Sequence, residues 1–131
     1  MKDRKNRIII TIHYDKQIKK TTNYIQKNAQ KLDEIRSRRP EEEIANILMA
    51  NLHAIEHSQT EVTLIDFYHD KPISIKLNPK LTPQKNAEQY YRKSKNKKLE
   101  LKKLIENIEI KSSLLQQLNL QRAAIMEAND F

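Results

Sequence analysis

The chain has 131 residues, enough for one domain of ordinary size, and carries 25 Lys and Arg against 17 Asp and Glu, a formal charge of +8. It has no Gly, which excludes phosphate-cradling loops that need φ > 0 without a Cβ, and no Cys, which excludes disulfides and thiolate metal sites. With 37% hydrophobic residues and a mean hydropathy of −0.84, it has the composition of long solvated helices, and its basic excess favours polyanionic partners.

The first periodic segment is helical. Tyr14, Ile18, Thr21, Ile25, Asn28, Leu32 and Ile35 step alternately by four and three, a heptad seam of period 3.5. Thr21 and Asn28 are polar members, which lower stability but can set register. The β-branched run at 8–12 before the seam reads as helix or strand, with helix preferred. That run is too short for a signal h-region and no small-residue cleavage site follows. No stretch approaches the roughly 18 apolar residues of a membrane span. A cytoplasmic protein without membrane contact is therefore expected.

Pro40 breaks the pattern and suits the first turn of a new helix, with Glu41, Glu42 and Glu43 favourable at its positive end. This second helix is expected over 41–57, with Ile44, Ile47, Leu48, Leu52 and Ile55 on one face. The period then falls to two. Residues 61–67 and 72–77 read as the strands of a β-hairpin, spanning 61–77 with a turn at 68–71. The second strand has one apolar face, Ile73, Ile75 and Leu77. The first is ambiguous, because Val62 and Leu64 oppose Ile65 and Phe67.

The connector at 78–83 holds two prolines. Thr82 can cap and Pro83 can begin a helix that meets no further Pro or Gly, about 45 residues or on the order of 65 Å. Its seam is Leu101, Leu104, Ile108, Lys111, Leu115, Leu118, Arg122 and Ile125, widened by Ile110 and Leu114. Such a helix cannot bury itself in 15.6 kDa. The expected fold is mainly α: a long antiparallel helical hairpin, or coiled coil, with a small α+β tip containing the two-stranded hairpin. The expected divisions are a first limb at 8–39, a middle subdomain at 40–98 whose long helix starts at 83–98, and a second limb at 99–128.

Little points to catalysis. HAIEH at 53–57 has the spacing of an inverted zinc-peptidase motif, in which two His on one helical face hold zinc and the Glu activates water. A third ligand would have to come from a following helix, where a helix end and a strand are expected instead, and Ile55 is needed for the core. His13 and His69 have no nucleophile nearby in sequence. A non-enzyme with no metal and no cofactor is expected.

The charge is more informative. Residues 71–103 hold eleven Lys or Arg against only Glu88 and Glu100, and residues 16–39 hold eight against Asp33 and Glu34. In YYRKSKNKK at 90–98, aromatics stand directly beside bases, a mixture that can hold phosphates and stack bases. Of Tyr90 and Tyr91, at least one is expected to pack inward, since neighbours on a helix sit about 100° apart.

ILMANLHA at 47–54, EVTLIDFY at 61–68 and PISIKLNPKLTPQKNAEQYYRK at 72–93 resemble the middle of the NFACT family. That family comprises the RqcH and NEMF proteins and the bacterial proteins labelled fibronectin-binding protein A. The family pattern is roughly LxANL, a two-stranded piece, then an I-L-(D/N)-P-x-L-(S/T)-P-x-x-N-A segment leading to paired aromatics and lysines. The chain departs from it in the run at 8–12 and in a Tyr-Tyr pair where many relatives carry Tyr-Phe. The resemblance implies the coiled-coil arm and middle domain of a larger ribosome-associated quality-control factor. It implies docking on the large ribosomal subunit, with rRNA near the stalk base, and tRNA binding through the parent protein. By matched position the candidate nucleic-acid contacts are Lys76, Asn78, Lys80, Lys85, Arg92 and Lys93. Lys95, Lys97 and Lys98 join them on charge alone. The alternatives are a protein-interaction coiled coil, including fibronectin-binding adhesion, and a homodimer that pairs exposed seams.

Overall fold

The computed structural model describes residues 2–128. Helix α1 spans Lys2–Ser37 and α2 spans Glu41–Ala50, followed by a single 3-10 turn at Leu52–Ala54. Strands β1 (Glu61–Asp66) and β2 (Lys71–Lys76) precede α3 (Pro83–Glu127). The fold is mainly α with one two-stranded antiparallel sheet, as the periodicities predict. The described residues form two compact units, those up to 35 with those from 101 onward, and residues 36–100.

In the first unit α1 and the later part of α3 lie antiparallel. Contacts run from Thr11 to Met126, from Asp15 to Arg122 and from Tyr24 to Lys111, so one helix ascends as the other descends. Every seam residue predicted on α1 is at least partly buried, and so is every one predicted on α3. Thr21 and Leu104 are the most enclosed of them. The polar seam positions on α3 have partners on α1. Arg122 Nε donates to Asp15 Oδ1 at 2.6 Å, and Lys111 Nζ sits 5.3 Å from the centre of the Tyr24 ring. Asn28 instead donates to the carbonyl of Tyr24 in its own helix. Ile110 does not widen the seam: it is 65% exposed, while Leu114 is partly covered. The run at 8–12 is helical, which settles the helix-or-strand ambiguity, and Ile8, Ile9, Ile10 and Ile12 are exposed.

The second unit holds the main apolar core: Ile47 and Leu48 of α2, Ile55, Val62 and Leu64 of β1, Ile75 and Leu77, and Ala87 of α3. The sheet registers Val62 with Ile75 and Leu64 with Ile73, so the inward face of β2 selects Val62 and Leu64 as the inward face of β1. Ile65 and Phe67 are left outside, and the third inward position of β1 is Asp66.

The second helix stops earlier than the expected 57. Asn51 ends it at Ala50 because its Nδ2 donates to the Ile47 carbonyl at 2.8 Å while its backbone N–H turns to Leu48. A short amide side chain that competes for backbone carbonyls favours a helix end. His53 and His57 therefore do not share a face of an α-helix, and the zinc-peptidase spacing loses the geometry that would give it meaning. Pro40 stands one residue before α2, at the cap, where its carbonyl accepts the Glu43 N–H.

Candidate nucleic-acid interface

The basic residues of the second unit are placed by a small set of polar anchors. Thr82 caps α3, its Oγ1 accepting the Lys85 N–H at 3.2 Å, and Pro83 opens the helix as expected. Buried Asn86, on the first turns of α3, reaches back to the connector. Its Oδ1 accepts the Asn78 N–H, and its Nδ2 lies within hydrogen-bond distance of the carbonyls of Asn78 and Thr82. Asn78 Oδ1 in turn accepts the Lys80 N–H at 3.0 Å, a local turn that projects Lys80. Asn78, Thr82 and Asn86 thus build a clasp, and Lys80 and Lys85 between them are left facing water.

Both tyrosines face inward, one more than the sequence requires. Tyr90 Oη donates to the Lys76 carbonyl at 2.6 Å and ties α3 to the end of β2. Tyr91 Oη donates to Asn46 Oδ1 and ties α3 to α2. Burial, helped by the charge of Glu41, raises the Tyr90 hydroxyl above the ordinary tyrosine range. Both rings are partly buried and both hydroxyls are engaged.

Seven of the nine candidates fall into two groups, and Lys93 and Asn78 stand apart. Lys97 is ion-paired with Glu41, and Lys98 lies 3.2 Å from Glu42, so the acidic first turn of α2 offsets two of the cations. Lys76, Lys80, Lys85, Arg92 and Lys95 are exposed, and among the described residues none of the five is held in an ion pair. Lys85, Arg92 and Lys95 recur at seven and three residues along α3, which puts them on one stripe. Lys93 leans on Tyr90, its Nζ 5.3 Å from the ring centre. Asn78 is exposed, but its Oδ1 is already engaged.

A second polar cluster, not anticipated from the sequence, lies behind the β1–β2 turn. Buried Asp66 takes both terminal nitrogens of Arg39, one of them at 2.8 Å, together with His69 Nδ1 and the Tyr68 N–H, each at 3.0 Å. The Arg39 hydrogen bonds are the largest influence, and they hold the Asp66 carboxyl far below the ordinary carboxylate range, against the opposing effect of burial. Asp66 raises the Arg39 guanidinium in return. The cluster has no nucleophile within its hydrogen bonds, and the bidentate pairing suits anchoring of the turn. The signal in sequence was the odd acid at an inward strand position, which only an arginine partner makes tolerable.

Among the described residues no helix is long and apolar enough to cross a membrane, and no group of three or more His, Asp or Glu could hold a metal ion. The arrangement supplies exposed, unneutralised cations on a rigid frame.

Comparison with known proteins gives the same direction. The family model of NFACT N-terminal and middle domains matches residues 1–131. Proteins named Rqc2 homolog RqcH from two strains of Streptococcus pneumoniae are 32% identical over 99 residues, 70% of this chain and 18% of their own length. One of the same name from Streptococcus suis is 30% identical over the same share. The chain thus spans less than a fifth of the length of the curated relatives it matches.

Proposed function

Because the chain belongs to the NFACT N-terminal and middle-domain family, we propose that it is a non-catalytic docking portion of a ribosome quality-control factor, placed on large-subunit rRNA by the exposed bases of its α+β unit. The observation that carries this reading is the group Lys76, Lys80, Lys85, Arg92 and Lys95, exposed and without internal ion pairs among the described residues. Cations left unpaired can neutralise phosphates and release counterions, which gives affinity without sequence reading. The names of the RqcH relatives support the ribosomal setting. In this reading residues 8–39 and 99–128 are the limbs of a coiled coil, residues 40–98 make the contacts, and tRNA is handled by the parent protein.

Five phosphate contacts correspond to a salt slope of roughly 4 in log–log terms, so affinity should fall on the order of a hundredfold between 50 and 200 mM salt. Pelleting of the chain with purified large subunits across a salt series measures it. The combined variant Lys80→Glu, Lys85→Glu, Arg92→Glu and Lys93→Glu should lose retention while keeping its fold. Retention equal to that of the unaltered chain would refute docking through these bases.

A further inference from the structure

The turn between β1 and β2 presents an aromatic pair that neither the core nor the basic stripe uses. The rings of Phe67 and Tyr68 are stacked, with centroids 4.6 Å apart and planes 30° apart, yet the residues are 50% and 44% exposed. Phe67 continues the outward parity of β1 and takes no place in the core.

What distinguishes this pair from two stray surface rings is the support behind it. Asn46 Nδ2 donates to Tyr68 Oη at 2.9 Å, the Tyr68 N–H donates to Asp66 Oδ1, and the Arg39 guanidinium lies 5.7 Å from the Tyr68 ring centre. Asn46 is itself held by Tyr91, and Arg39 by Asp66 and Glu43. Asp70, at φ 54°, closes the turn in the left-handed region. Asn46 of α2, Arg39 before it and Asp66 at the end of β1 thus fix Tyr68, with Tyr91 of α3 holding Asn46, and Tyr68 backs Phe67. A surface ordered before its ligand arrives loses less entropy on binding.

We infer that Phe67, backed by Tyr68, is a stacking platform for an unpaired, splayed-out base of RNA. The adjoining Lys71 and the His69 ring, whose Nδ1 meets Asp66, are exposed and would meet the flanking phosphates. Charge favours RNA over an apolar peptide. Asp66 is held by Arg39 and His69, the turn itself carries Asp70 against Lys71, and the residues that follow in sequence, 71–103, hold eleven bases against two acids. This inference rests on the proposed rRNA docking and deepens it. The exposed bases would hold any phosphate backbone, whereas an aromatic face selects nucleotides that are not already stacked in a duplex.

The test uses the 131-residue chain, which contains no Trp. Phe67→Trp makes the platform its own reporter. The probes are a single-stranded RNA of about ten nucleotides, within the span such surfaces engage, a blunt duplex of the same sequence, and an abasic single strand. The indole should be quenched by the single strand and not by the other two. Phe67→Ala should weaken single-strand binding about tenfold, as loss of one base–aromatic stack does, with duplex binding unchanged. Single-strand binding by Phe67→Ala equal to that of the unaltered chain overturns the inference. So does full binding by Phe67→Leu, which would mark a merely apolar contact, or an indole indifferent to the single strand. Silent Phe67 variants beside an effective charge reversal sink the platform alone; failure of the chain to bind any RNA sinks both readings.

Discussion

The side-chain amide of Asn86 engages the backbone of Asn78 in both directions, accepting its N–H at 2.8 Å and donating to its carbonyl at 3.1 Å. One buried side chain therefore stands in for a missing strand partner at the exit of β2. Asn86→Ala would leave the Asn78 N–H without its partner, while the Asn78 and Thr82 carbonyls keep the backbone N–H groups of residues 81 and 86, at a cost of about 1–3 kcal/mol. Asn86→Asp should cost at least as much, because it sets a carboxylate against two carbonyls. Urea denaturation measures both, and a wild-type midpoint for either would mean that the clasp does not hold the connector.

Asp66 makes the stability of the second unit dependent on pH. Its folded-state pKa is depressed below the unfolded value of about 3.9. The stabilisation is therefore complete well above that value and is lost as pH falls through the folded pKa. The denaturant midpoint should decline as the pH is lowered from 5 towards 2. In Asp66→Asn the midpoint should be lower at pH 7 and the acid limb shallower. Parallel acid limbs in the two proteins would assign the dependence to other carboxylates.

The helical seam discriminates between leucines and isoleucines of similar size. Leu104 is 7% exposed, so Leu104→Ala should cost about 2–4 kcal/mol, whereas Ile110→Ala, at 65% exposure, should stay within about 0.5 kcal/mol. The cross-helix pair of Arg122 and Asp15 is half in water, and a double-mutant cycle should give a coupling below about 1 kcal/mol that disappears at high salt. Equal losses at 104 and 110 would contradict the assigned seam.

A chain without glycine must put other residues into left-handed backbone. Ser58 does so at φ 70°, in the turn after the short second helix. Ser58→Gly relieves a steric cost of about 1–2 kcal/mol but adds unfolded-state freedom, for a net gain of about 0.5 kcal/mol. Thermal denaturation should show a raised midpoint; a lowered one would mean that the serine makes a compensating contact.

Much of the candidate interface was legible as charge and little of it as pairing. The cluster at 92–98 reads as one basic run. Yet Lys97 and Lys98 meet glutamates 56 residues earlier, a distance no local window spans. The tyrosine pair follows the same rule. Helical geometry requires one ring to turn inward, but hydrogen-bond acceptors at Lys76 and Asn46 draw in both.

Period and punctuation sufficed for the two seams, the start of α3 at Pro83 and the existence of the hairpin, because a repeat of 3.5 or 2 defines a face whatever lies opposite. The end of α2 is local, since the amide and the N–H of Asn51 meet the carbonyls of Ile47 and Leu48. Tertiary structure alone decided which face of β1 turned inward and which lysines remained unneutralised, because the local sequence fits either outcome. The tie was broken by a partner far along the chain: the face of β2 and the guanidinium of Arg39 for β1, and the glutamates of α2 for the lysines.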